Sequence, residues 1–214
     1  LAIILFGIAL DIKPADFRFF RTRPRAVLVG LTSQWLLLPA LTMAIIFWVQ
    51  PMPSLAMGMV LAAACPGGNV SNFFVHWSRG NSALSVTLTT ISTLGAIVFT
   101  PLNFELWSSL VPGATALRQS LEIAPLDMIQ TVVTIIGLPL GLGMLVGRRA
   151  PRLREKLRKP LQVFSLVFFA AFVALATIKN WGLLLTYGSL LAGTVILHNS
   201  LAFLLGYLTA WVAR

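Results

Sequence analysis

"AAACPGGNVSNFFVHWSRG", residues 62–80, sets Pro66, Gly67 and Gly68 inside an apolar stretch and follows them with Asn69, Ser71 and Asn72. Pro66 offers no N–H to the carbonyl four residues back and crowds that turn, and the two glycines loosen the chain further. In water such a break is an ordinary loop. In hydrocarbon each freed backbone group costs several kcal/mol, so a break survives only where it is buried in protein or lines a water-filled cavity. The solvent around the rest of the chain therefore decides what this stretch means.

Composition answers that. Of 214 residues, 57% are hydrophobic and only 10% are charged, against about 25% charged in a soluble domain. Apolar runs long enough to span a bilayer, roughly 17–25 residues, fall at 26–49, 54–78, 82–102, 126–147, 161–178 and 183–212, and residues 1–12 read as the end of another. The chain starts at Leu1 inside an apolar run and stops at Arg214 directly after a span, so it reads as a fragment of a single transmembrane domain.

The net charge of +10 would fit nucleic acid only if it formed a basic face on a soluble fold. Instead, "KPADFRFFRTRPR" (13–25) holds five Lys/Arg and "RRAPRLREKLRKP" (148–160) holds seven. With Arg79 and Arg214, 14 of the 16 basic residues fall on one side if the spans alternate, leaving Arg118 and Lys179 on the other. Cytoplasmic loops carry the Lys/Arg excess, so 13–25 and 148–160 are expected in the cytoplasm, with 103–125 outside. Trp48, Trp77, Trp107, Trp181 and Trp211 stand near span ends, where tryptophan anchors at the interface. Pro160 suits the first turn of the helix over 161–178. The partners this predicts include membrane lipid and exclude nucleic acid. The expected location is a bacterial inner membrane.

Broken helices at mid-membrane are where transporters hold substrates and ions. The span that follows, "SALSVTLTTISTLGAIVFTP", carries Ser85, Thr87, Thr89, Thr90, Ser92 and Thr93 within nine residues. Small hydroxyl residues also pack helices together. Even so, Ser85 and Thr89 share a face at i, i+4 beside a break rich in amides. Neutral oxygens of this kind suit a hard cation, and with so little negative charge a monovalent ion such as sodium fits better than a divalent one. His76 and His198 are each solitary, Asp11, Glu122 and Asp127 sit near span ends, and Cys65 stands alone. An intramembrane enzyme would need a base, a metal or an activated nucleophile in mutual reach, and no catalytic set is expected here.

"CPGGNVSNFFVHWSRGNSALSVTLTTISTL", together with "LFGIALDIKPADF", "QWLLLPAL" and "LHNSLAFLLGY", resembles the bile acid:sodium symporter family over nearly the whole chain. The resemblance implies an all-α membrane protein, a polytopic bundle of ten spans in two inverted repeats, with a discontinuous helix at Pro66–Gly68. A panel would move against a core in which two broken helices cross, and this chain resembles the second through eighth spans. By the same resemblance Ser71, Asn72, Ser85 and Thr89 match ligands of a first sodium ion and Gln34 a ligand of a second. Asn69 stands where the family usually has a substrate-facing threonine, and the amides after Gly68 are expected to face the anion. The second crossing helix, with a glutamate shared by both ions, would lie past Arg214. The expected function is sodium-coupled uptake of an organic anion, bile-acid-like or a small carboxylate, by alternating access. Sodium is the coupling ion and no other cofactor is expected. A sodium-independent facilitator or an efflux carrier of related fold stays open as the alternative.

Overall fold

The computed structural model describes residues 2–10, 12, 18–114 and 133–212, with Ile8, Arg18, Phe19, Asn69, Val70, Val133 and Ile136 described in their backbone only. Asp11, Arg118, Glu122, Asp127, Arg214, loop residues 13–17 and the first part of the predicted span 126–147 lie outside the described residues. Among the described residues every regular element is helical and none is a strand. Four helices among the described residues are long and apolar enough to cross a bilayer: Pro24–Val49, Ser82–Ser108, Pro151–Lys179 and Trp181–Val212. In chain order the elements are α1 (Ala2–Leu10), α2 (Arg18–Thr22), α3 (Pro24–Val49), α4 (Pro53–Ala64), α5 (Asn69–Trp77), α6 (Ser82–Ser108), α7 (Leu138–Arg149), α8 (Pro151–Lys179) and α9 (Trp181–Val212).

Proline punctuation explains several boundaries. Pro24, Pro53 and Pro151 occupy first-turn positions of their helices, where a missing N–H is harmless. Pro39 follows a π-helical turn, Ser33–Leu37, in which Leu38 N–H donates to the Ser33 carbonyl five residues back. The cause is local: Pro39 cannot serve the Trp35 carbonyl, so the preceding turn widens rather than clash. The same Leu-Pro pair recurs at Leu138-Pro139, again behind a π-helical turn, Val133–Gly137. Pro160 differs from its expected place. It lies inside α8, which starts at Pro151 and carries Arg152, Arg154, Lys156, Arg158 and Lys159 on its first turns. The basic stretch 148–160 is thus mostly helix rather than loop. Pro160 is exposed, so the carbonyl it leaves unserved need not be buried.

The chain divides into two compact units, 1–13 with 134–200, and 14–133 with 201–214. In the first, α1 lies against α7 and α8. Gly143 and Gly147 make that crossing close. A Cβ on Gly143 would stand 2.6 Å from both the Ala9 Cβ and the Phe6 carbonyl oxygen, and one on Gly147 would stand 2.8 Å from the Leu10 carbonyl oxygen. Ala9, Leu10 and Leu140 are buried there. Small residues at i, i+4 let two backbones touch, which is how membrane helices gain dispersion energy when apolar burial gives no advantage over lipid.

The second unit is organised around α6, which packs against α2, α3, α4 and α5. Thr87, Thr89, Thr90 and Ser92 are buried along it, in keeping with a span too rich in hydroxyls to face lipid. Trp35 stacks on Phe99 with ring centroids 4.1 Å apart. Gly95 makes room for it, since a Cβ there would lie 2.7 Å from the indole. Trp48 and Trp77, near the ends of α3 and α5, stand exposed.

Candidate functional site

Helix α4 stops at Ala64 and helix resumes at Asn69, with Cys65–Gly68 non-helical between them. Cys65 and Gly68 both have extended backbone. In an uninterrupted helix the Ala64 carbonyl would accept from Gly68 N–H. Here it accepts instead from the Thr100 hydroxyl of α6 at 2.9 Å. The other half begins without a side-chain cap, and the first turn closes on Gly68, whose carbonyl accepts from Ser71 N–H at 3.1 Å and from Ser71 Oγ at 2.7 Å.

The turn after α5 aims it at α6. Arg79 takes a left-handed conformation, φ 54°, while its N–H reaches the His76 carbonyl and Gly80 N–H reaches the Val75 carbonyl at 2.8 Å. That double bond is a Schellman closure with arginine in the place glycine usually holds. Gly80 follows because a Cβ there would press to 3.2 Å on the Val75 carbonyl oxygen. Asn81 then caps α6, its Oδ1 accepting from Leu84 N–H at 3.0 Å. A four-residue corner thus reverses the chain and lays α5 along the start of α6.

Asn72 meets α6 as a result. Its Oδ1 accepts from Ser85 Oγ at 2.5 Å and stands 3.1 Å from Thr89 Oγ1, which also reaches the Ser85 carbonyl at 2.8 Å. Asn72 and Ser85 are half-buried and Thr89 is 7% exposed. Gln34 arrives from α3 inside the widened turn, with its Nε2 3.9 Å from where a Cβ on Gly67 would sit. Of the residues singled out from sequence, Asn72, Ser85 and Thr89 form one oxygen cluster, Gln34 lies beside Gly67, and Ser71 is turned onto the Gly68 carbonyl. All of them belong to the second unit. A cavity of about 480 Å³ lined by Arg25, Leu28, Thr32, Leu208 and Thr209 contains none of them. Thr100 and Trp35 were not signalled by sequence. A threonine or tryptophan in an apolar helix carries no mark of which neighbour it will meet.

A profile of the Sodium Bile acid symporter family matches residues 1–187. The chain belongs to that family. An uncharacterized sodium-dependent transporter of Bacillus subtilis is 31% identical over 210 residues, 98% of this chain and 63% of that protein. A probable chloroplastic sodium/metabolite cotransporter of rice is 30% identical over all of this chain and 48% of its own length. The human sodium-dependent organic anion transporter is 28% identical over 99% of this chain and 54% of its own. The chain therefore spans about half to two thirds of the length of the relatives it matches. Family membership and its four long apolar helices make it part of an integral membrane protein.

Proposed function

We propose that the full-length protein is a secondary active transporter that couples sodium entry to uptake of an organic anion by alternating access. The observation that carries this reading is the oxygen cluster of Asn72, Ser85 and Thr89 held against an interrupted helix. In this reading Pro53–Trp77 is one discontinuous membrane helix in a ten-span inverted-repeat fold. Asn72, Ser85, Thr89 and, after its hydroxyl turns from Gly68, Ser71 supply neutral oxygens to one sodium ion. Gln34 serves a second beside Gly67. A sodium ion replaces the hydroxyl hydrogen bonds that now converge on Asn72 Oδ1, so ion binding and the closure of α5 on α6 are a single event. Uncapped amides after Gly68 form the positive end of a half-helix, suited to a carboxylate or sulfonate, with Asn69 beside it. The segments 13–25 and 148–160 lie on the cytoplasmic side of a bacterial inner membrane. Sodium dependence is supported by relatives whose names state it.

Uptake of radiolabelled taurocholate and of pyruvate by vesicles containing the full-length protein tests this. With an inward sodium gradient, uptake of at least one anion is expected to exceed that with an equal potassium gradient. Equal rates of measurable uptake would favour the sodium-independent carrier.

The widened turn in α3 gives a second test. Pro39→Ala restores an N–H for the Trp35 carbonyl, so the π-helical turn can relax to α geometry. That would turn Gln34 by roughly 100° about the helix axis. Pro39→Ala is expected to raise the sodium concentration for half-maximal uptake as much as Gln34→Ala does. An unchanged requirement in Pro39→Ala, with a raised one in Gln34→Ala, would show that the turn does not set the glutamine.

A further inference from the structure

Thr100 differs from six other described threonines in making no bond to its own helix. Thr42, Thr87, Thr89, Thr186, Thr194 and Thr209 each donate to the carbonyl four residues back in their own helix. Thr100 instead crosses to Ala64 at 2.9 Å. That acceptor is a carbonyl that the interruption leaves without its usual N–H, at the negative end of α4, where Cys65 and Gly68 have extended backbone. An unserved buried carbonyl is costly.

The position of Thr100 matters as much as the bond. Helix α6 holds the far side of the interruption through Ser85 and Thr89 on Asn72, the widened turn of α3 through Phe99 on Trp35, and the near side through Thr100. Thr89 and Thr100 lie about 16 Å apart along the helix, at 1.5 Å per residue. One continuous helix, Ser82–Ser108, thus contacts both flanks of Cys65–Gly68. We propose that Thr100 is a positioning residue for the ion site: by holding the Ala64 carbonyl it sets where the unwound residues lie, and so how Gly67 and Gly68 are presented to Gln34 and Asn72. This rests on the sodium reading above, but its mechanical part does not.

The experiment uses the full-length protein in vesicles, with any cysteine outside residues 1–214 replaced by serine. Cys65, free and exposed beside Ala64, then reports on the unwound segment through its rate of maleimide labelling. Thr100→Val keeps the shape and deletes the donor, and Thr100→Ser keeps the donor. Thr194→Val controls for loss of a buried hydroxyl that bonds within its own helix. Thr100→Val is expected to raise the half-maximal sodium concentration about three- to tenfold, the worth of one buried hydrogen bond, with the maximal rate changed less. It should also speed Cys65 labelling in sodium-free buffer. Thr100→Ser should match wild type in both, and Thr194→Val should leave both unchanged. If Thr100→Val fails to reach the membrane, Thr100→Ala gives the same comparison without a bulky side chain. Wild-type labelling and wild-type sodium dependence in Thr100→Val would overturn the proposal. If wild-type uptake ignores sodium, the sodium reading fails. Labelling of Thr100→Val against Thr100→Ser still decides whether the hydroxyl holds the segment.

Discussion

Replacing Asn72 by alanine in the full-length protein is expected to raise the sodium concentration for half-maximal uptake by about tenfold or more. One side-chain oxygen there accepts from the Ser85 hydroxyl and stands 3.1 Å from that of Thr89, whose single proton it shares with the Ser85 carbonyl. In the proposed sodium site its loss removes a ligand oxygen, and it deprives Ser85 of the acceptor that draws α5 onto α6. Each such hydrogen bond is worth about 0.5–1.5 kcal/mol net, and more where a buried partner is left unserved. One full bond, one shared bond and a ligand together therefore reach the ~1.4 kcal/mol that corresponds to a factor of ten. Ser85→Ala and Thr89→Ala remove one hydroxyl each and should fall short of this. Ser71→Ala should also raise the requirement, but less, because its hydroxyl now serves the Gly68 carbonyl. Thr93→Ala, on the same helix but outside the cluster, sets the baseline. If Thr93→Ala moved the sodium requirement as far as Asn72→Ala, the cluster would not be the ion site.

The parts of this site that were legible in the sequence are those in which composition conflicts with environment. Pro66-Gly67-Gly68 conflicts with a spanning helix, and the hydroxyls over 85–93 conflict with lipid, so both announce themselves. The i, i+4 spacing of Ser85 and Thr89 then predicts a shared face, and Asn72 is found on it. Thr100 sits in no such conflict. Its hydroxyl could have folded back on its own helix, as that of Thr87 does, and only the arrival of the Ala64 carbonyl redirects it. The first turns of α8 look like loop in the sequence because their charges interrupt the apolar run. An apolar window detects the membrane-embedded part of a helix and not the helix, which here begins at Pro151. The division into two units is not announced by composition, since both are apolar and helical.

The stability of the first unit should turn on Gly143. A Cβ added there meets the Ala9 Cβ and the Phe6 carbonyl oxygen at 2.6 Å, closer than real Cβ contacts come, and one of the two obstacles is backbone. Neither α1 nor α7 can relieve that by a rotamer change, so Gly143→Ala must push the helices apart and forfeit the dispersion contacts that hold them. Overpacking of this kind costs about 1–3 kcal/mol, against a gain of no more than about 1 kcal/mol from alanine's better helix propensity. Gly141 supplies the contrast on the same helix, since nothing lies within 4 Å of its Cβ position. Gly141→Ala should hold or raise the melting temperature of the detergent-purified protein, while Gly143→Ala should lower it by several degrees and reduce the yield. Ala9→Gly added to Gly143→Ala should recover part of the loss and not all of it, because the Phe6 carbonyl stays in place. Equal melting temperatures for Gly141→Ala and Gly143→Ala would mean that α1 and α7 do not pack this closely in the membrane-extracted protein.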